Sequence, residues 1–302
     1  MTLARVLLIF LDGIGIGPAD PDRNPFLRAS LPTLRGLLGG RIPTHRDPTL
    51  GTDHAWAGPT DALLGVEGLP QSGTGQAALL TGKNAPALFG RHFGPWVPVS
   101  LRPLVMKESL LARARAGGIS CAFANAYPRE FHRLSWARRP AGPPLAAHGA
   151  GLLTRDEDEL AVGLALSSEI TNAAWRTHLG FTHLPDITPE GAGQNLARIA
   201  TPATLTFFAH FSTDTAGHKR EMEPAIQALE KVDRFLGAVL TGLPPDSLLV
   251  VSSDHGNLED ITQSHTLNPV LTLLAGPGAN DLARGLTEIT DVPGLILGLL
   301  SE

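Results

Sequence analysis

Four short apolar runs constrain this chain more than any other feature: residues 6–11, 119–124, 205–209 and 248–251. Each has strand length, and each stops abruptly at polar or glycine residues. A strand with one wet face alternates apolar and polar side chains. Nearly unbroken apolarity instead means cover on both faces, as in a parallel sheet between helical layers. Helical spacing fills the intervals. Residues 224–240 put Ile226, Leu229, Val232, Leu236 and Leu240 on one side, and further helices are expected at 25–38, 75–81, 105–116 and 189–199. The pattern predicts an α/β fold, a mostly parallel sheet sandwiched by helices.

The middle of the chain departs from this alternation. Residues 127–188 hold basic and aromatic side chains, a Pro/Gly/Ala stretch at 140–151 and the acidic run Asp156 to Glu159. This region is expected to form a small inserted cap for substrate recognition over a core of 1–126 and 189–302. An ordinary helical excursion on the surface fits the composition equally well.

Composition narrows the partners. The net charge is −5 with acids and bases interspersed, which argues against nucleic acid or an anionic membrane surface. Cys121 is the single cysteine, so an intrachain disulfide and a Cys-based metal site are excluded. The apolar stretch after Arg5 is too short for a signal peptide and lacks a small-residue cleavage pattern, and no run approaches a membrane span. A cytoplasmic protein is expected.

Carboxylates and imidazoles gather where strands end. Asp12 follows the first run directly; alone it reads as an Asp-Gly turn, but the C-terminal end of a parallel strand is where α/β folds bind ligands. Gly13, Gly15 and Gly17 give G-x-G-x-G, not the G-x-G-x-x-G of a dinucleotide loop, and Pro18 stands where the helix should begin. That weakens a nicotinamide-dependent oxidoreductase. In Gln71-Ser72-Gly73-Thr74-Gly75-Gln76, glycines flank Thr74 ahead of a helix, where free N–H groups favour phosphate oxygens. A plain threonine cap is the common alternative, and Ser72 is a second candidate hydroxyl. Asp214 and His218 are four apart, a ligand-pair spacing on a helix. Asp254 and His255 lie past the fourth run, and His265 comes ten residues after His255. Each histidine singly is most often structural. Three carboxylates and three imidazoles together repel or waste charge unless divalent cations sit among them.

The ordered set Asp12, Thr74, Asp214…Gly217-His218, Asp254-His255-Gly256 and His265 resembles the alkaline phosphatase superfamily. Within it, Ser253-Asp254-His255-Gly256-Asn257 and His265-Thr266-Leu267-Asn268-Pro269 are most similar to the branch of cofactor-independent phosphoglycerate mutase and phosphopentomutase. The resemblance implies that Asp12, Thr74, Asp254 and His255 hold one divalent cation and that Asp214, His218 and His265 hold a second, either Mn²⁺ or Zn²⁺. It further implies a metal-dependent enzyme acting on a small phosphorylated substrate through phospho-Thr74. A phosphatase is expected, because the chain is shorter than those mutases and their large inserted domain is reduced. A phosphomutase and a non-catalytic metal-binding module are the alternatives. The Cys/Ser-x-Pro-x-Arg signature of sulfatases is absent. Candidate substrate contacts are Asn125, Arg129, His132, Arg133, Arg138 and Arg139, with Asn125 foremost and Gln76 and Lys83 as weaker ones.

Overall fold

The computed structural model describes residues 5–131 and 138–301. A seven-stranded sheet forms its centre: β1 (Arg5–Leu11), β2 (Leu50–Thr52), β3 (Ala55–Thr60), β4 (Cys121–Phe123), β5 (Leu205–His210), β6 (Ser247–Ser252) and β7 (Val270–Ala275), in the order β2-β3-β7-β6-β1-β5-β4. The four apolar runs become β1, β4, β5 and β6, and these four pair parallel to one another. The remaining pairings, β2·β3, β3·β7 and β6·β7, are antiparallel. β3 is antiparallel to β7 and β7 to β6, so β3 runs in the same direction as β6, β1, β5 and β4. Only β2 and β7 oppose them: this is the expected α/β fold with a mostly parallel sheet, carrying antiparallel pairings at one side.

Side-chain alternation along β1 feeds two cores. Leu7, Ile9 and Leu11 enter one, with Leu196, Leu229 and Phe235 from α5 (Pro189–Ala200) and α7 (Met222–Gly242). Val6, Leu8 and Phe10 enter the other, with side chains of α1 (Ser72–Thr81), α2 (Arg102–Glu108), α3 (Leu110–Ala116), α4 (Gly142–Gly149) and α8 (Asp291–Leu300). Two expected helices break in the middle. Residues 25–38 give a 3₁₀ turn at Pro25–Leu27 and a short helix at Pro32–Leu37, split at the Leu31-Pro32 step. Residues 105–116 divide at Ser109, whose hydroxyl accepts the Ala112 N–H and so caps α3.

Residues 127–188 do not form one body. Leu145, Ala146 and Ala147 of α4 are fully packed into the second core against α2, α3 and α1. Only the later part makes its own small cluster, of Leu160, Ala165, Trp175 and Leu184 with Ala126. The boundary at 127 thus falls inside the core layer.

Candidate metal centre

Strand ends deliver the acidic and imidazole side chains to one place. Asp12 follows β1, whose last residues pair with β5 up to His210. Asp214 and His218 stand one turn apart on α6 (Ser212–Lys219), which starts just after β5. Asp254 and His255 follow β6, and His265 precedes β7. Two groups of close ligand atoms result: Asp12, Asp254 and His255, and separately Asp214, His218 and His265. In the first, His255 Nε2 lies 3.3 Å from Asp12 Oδ1 and 3.7 Å from Asp254 Oδ2. In the second, His218 Nε2 lies 3.0 Å and His265 Nε2 3.7 Å from Asp214 oxygens. The groups adjoin: the His255 and His265 rings stack at 3.9 Å, and His255 Nε2 is 3.9 Å from Asp214 Oδ1.

Backbone and hydroxyl partners aim the rings. His265 Nδ1 meets the Pro70 carbonyl at 2.9 Å, and His218 Nδ1 meets Ser264 Oγ at 2.9 Å. Both leave Nε2 turned to the cluster. Asn257 Nδ2 donates to Asp214 Oδ1 at 2.6 Å, and Gly13 owes its φ of +71° and its missing Cβ to Asp214, whose Oδ1 would stand 2.7 Å from a side chain there.

The first group sits in a chemically awkward state as it stands. Burial, and then Asp254, raise the Asp12 carboxyl well above its ordinary value; burial also raises Asp254, with Asp214 adding to it. Burial opposes charge on His255, but Asp254, Asp12 and Asp214 together outweigh it and hold the imidazolium up to about 10. Asp12 Oδ1 and Asp254 Oδ2 are buried with no hydrogen-bond partner. Oxygens left unpaired at this depth are costly, and a doubly charged ion would satisfy the same atoms. These donors fit a divalent cation.

Of the two candidate hydroxyls on this segment, Ser72 and Thr74, the one that reaches the cluster is Ser72. α1 begins there, three residues earlier than the expected helix, and Ser72 Oγ lies 3.0 Å from His255 Nε2. Residues two apart on a helix point about 200° apart, so Thr74 faces away. Its Oγ1 accepts the Phe93 N–H at 3.0 Å, its own N–H bonds the Phe93 carbonyl at 2.9 Å, and it is fully buried. The structure thus does not bring the Thr74 hydroxyl to the two ligand groups, where the sequence reading places it as nucleophile and ligand. Gln76, one turn after Ser72, donates to Asp12 Oδ2 at 3.2 Å and accepts the Gly142 N–H at 2.8 Å, which joins α4 to the site.

The expected substrate contacts fare differently. Asn125 is fully buried; its amide donates to the Ala209 carbonyl at 2.7 Å and accepts the Ala209 N–H at 2.8 Å, copying a strand rung. Neither end is left for a ligand. The Arg129 guanidinium is taken by Asp156 and Asp158. His132 and Arg133 lie outside the described residues. Arg139 stacks over Trp96 at 4.5 Å.

A cleft of about 490 Å³ went unforeseen. Residues 67–71, leading into Ser72, form one wall and residues 91–94 the other. A Cβ on Gly94 would stand 3.3 Å from the Ser72 nitrogen, so the second wall touches the serine's backbone. The Arg91 guanidinium lies 5.9 Å over Phe89 and has no carboxylate partner among the described residues. Gly90-Arg91-His92 carries no spacing signal, so only the fold could reveal it.

Residues 189–300 match the model of the Metalloenzyme superfamily. A 113-residue stretch is 32% identical to the 2,3-bisphosphoglycerate-independent phosphoglycerate mutase of Trichormus variabilis, covering 32% of this chain and 21% of that protein. A 75-residue stretch is 41% identical to the phosphopentomutase of Chromohalobacter salexigens, covering 24% and 18%. The matches thus span only about a fifth of these relatives' own length. The alkaline phosphatase from the Antarctic bacterium TAB5 superposes on 99% of this chain and 98% of its own with a TM-score of 0.55 at 14% identity. A cold-active alkaline phosphatase from Shewanella does so on 99% and 100%, with a TM-score of 0.57 at 13% identity. Among the described residues no helix is long and apolar enough to cross a membrane. The likeness to the alkaline phosphatase superfamily therefore holds: residues 189–300 carry the Metalloenzyme pattern, and the chain as a whole has the alkaline phosphatase-like fold.

Proposed function

We propose that this protein is a metal-dependent phosphohydrolase of small phosphate esters, with Ser72 as its nucleophile. The observation that carries the proposal is the Ser72 hydroxyl, 3.0 Å from His255 Nε2 at the start of a ten-residue helix, beside the Asp12, Asp254 and His255 group. Asp12, Asp254 and His255, with Ser72, would hold one cation; Asp214, His218 and His265 would hold the other. Two bound divalent ions, Mn²⁺ or Zn²⁺, supply neutralisation of phosphoryl charge and a lowered pKa for the serine hydroxyl.

The chain's own groups do the rest. The first turn of α1 presents its positive end to the phosphoryl oxygens. Gln76 fixes the Asp12 carboxylate, and Asn257 fixes Asp214. Ser72 Oγ attacks phosphorus, the bond to the alcohol oxygen breaks, and water then hydrolyses phospho-Ser72. The alcohol occupies the cleft between 67–71 and 91–94. That cleft is open, and the described residues hold no second domain to retain the alcohol, which favours water as acceptor. A mutase reaction is the second possibility, favoured by the sequence likeness to the two mutases.

Turnover of a phosphate-ester panel, scored for both released phosphate and isomerised product, tests the proposal. Ser72→Ala should lower kcat by about 10³-fold or more, and a phosphoryl group trapped in the wild type should map to Ser72. Thr74→Ala carrying the full loss, or Ser72→Ala carrying none, would refute it.

A further inference from the structure

Glu259 is fully buried and has no cationic partner among the described residues, yet four donors converge on it. Gly15 N–H donates to Oε2 at 2.9 Å and Asn257 N–H to Oε2 at 2.8 Å. The Thr266 hydroxyl and Asn268 Nδ2, the latter at 3.0 Å, donate to Oε1. The donors come from separate pieces of chain: the loop that follows Asp12, the loop that follows Asp254 and His255, and the segment that carries His265. Asn257 extends the chain of contacts to a fourth piece through its amide on Asp214.

The glycines around Glu259 show how closely it is enclosed. A Cβ on Gly15 would stand 2.6 Å from its carboxyl, one on Gly256 would stand 2.4 Å from Oε1, and one on Gly17 would stand 2.3 Å from its carbonyl oxygen. Gly15 and Gly17 lie outside the left-handed φ region, so close approach, not backbone conformation, accounts for them. The G-x-G-x-G of the sequence is thus a seat for Asp214 and Glu259, with no role in a dinucleotide loop.

We propose that Glu259 is the positioning residue that holds the two ligand groups in mutual register, with its largest effect on the Asp214, His218 and His265 group. That group comes from α6 and from the segment before β7; Asn257, Thr266 and Asn268 link both to Glu259, beside a separate bond from the Thr213 hydroxyl of α6 to the Asp12 carbonyl at 2.6 Å. The inference rests on the two-cation proposal above. Glu259 touches no candidate ligand atom itself; it acts through the backbone and amides that do.

Mn²⁺ titration of the chelator-stripped full chain, followed calorimetrically with metal content after dialysis, separates this from a general loss of stability. Wild type should bind two ions. Glu259→Ala should weaken the looser ion by about 10–100-fold while changing the tighter one less. Glu259→Gln should restore most of that affinity, because its amide can turn its oxygen to the two backbone N–H groups and its nitrogen to Thr266 and Asn268, whose side chains can reorient to accept. Gly15→Ala should mimic Glu259→Ala and add little when combined with it. Asp233→Ala is the control: Asp233 is another buried carboxylate, accepting the Thr33 and Leu34 N–H groups at 2.9 and 2.8 Å, with no link to the centre. It should lower Tm and leave Mn²⁺ affinity unchanged. If wild type and Glu259→Ala bind two ions equally well, or Asp233→Ala loses the same affinity, the Glu259 inference alone fails. If wild type binds no Mn²⁺, the metal proposal fails and takes this one with it.

Discussion

The two ligand groups face opposite conditions. The side chains of Asp12, Asp254 and His255 are at most 8% exposed, whereas in the second group His265 is 9%, Asp214 15% and His218 47% exposed, so the opening lies on the His218 side. The buried group must settle its charge internally, and without a cation it does so with displaced protons. The open group can exchange with solvent and lean on it. Depth, more than ligand type, should therefore decide which ion is bound permanently and which comes and goes.

The largest effect should separate the groups directly. His255→Ala removes a ring with no water to replace it and is expected to cost about 10³-fold or more in turnover, unrecovered by added metal. His218→Ala exposes a position water can fill, so about 10–100-fold excess Mn²⁺ should recover much of the activity. Activity against Mn²⁺ concentration checks both. Equal recovery in the two variants would erase the distinction.

A smaller effect lies in the pH dependence of the metal-free protein. Asp12, Asp254 and His255 all have raised values in the folded chain, so their protons stabilise it at low pH and that contribution is lost as pH rises, for His255 between its ordinary value and about 10. Burial and then His255 lower His265 to about 4, which carries the opposite sign: its contribution is lost as pH falls below the ordinary histidine range. The Tm of chelated protein should drop from neutral pH toward 10, and Mn²⁺ should flatten that drop. A flat alkaline limb without metal would show that the buried group bears no such strain.

The smallest effects sharpen the contrast by exclusion. Asn125→Ala should cost about 1–3 kcal/mol of stability through its buried amide, with KM unchanged, as read from denaturant unfolding beside steady-state kinetics. Arg129→Ala should leave stability almost unchanged and activity intact, since its ion pairs are on the surface.

Much of this was legible from residue order. Asp12, Asp254 and His255 announce themselves because an apolar run that stops at a carboxylate marks a strand end, and helical spacing pairs Asp214 with His218. The choice between Ser72 and Thr74 was not legible. It turns on where α1 starts, and a shift of two residues swings a side chain to the far side of the helix. β2 and β3 were hidden by composition: Gly58 and Pro59 disfavour a strand, yet β2 starts with Leu50 opposite Ala57 and so leaves Pro59 no neighbour on that side. Their pairing is imposed by β7, a tertiary partner no local pattern reveals. Asn125 misled for a related reason, since a polar residue at a strand end serves the sheet as readily as a ligand.

Thr74 has a consequence for anyone reshaping this cleft. Both its N–H and its hydroxyl are fastened to Phe93, so the far bank of the cleft and the serine travel as one piece. Widening the opening by mutation at 91–94 should shift Ser72 with it, so on the function proposed here selectivity and rate should resist being tuned apart. The near bank, 67–69, has no such tether to α1, and is where redesign should begin.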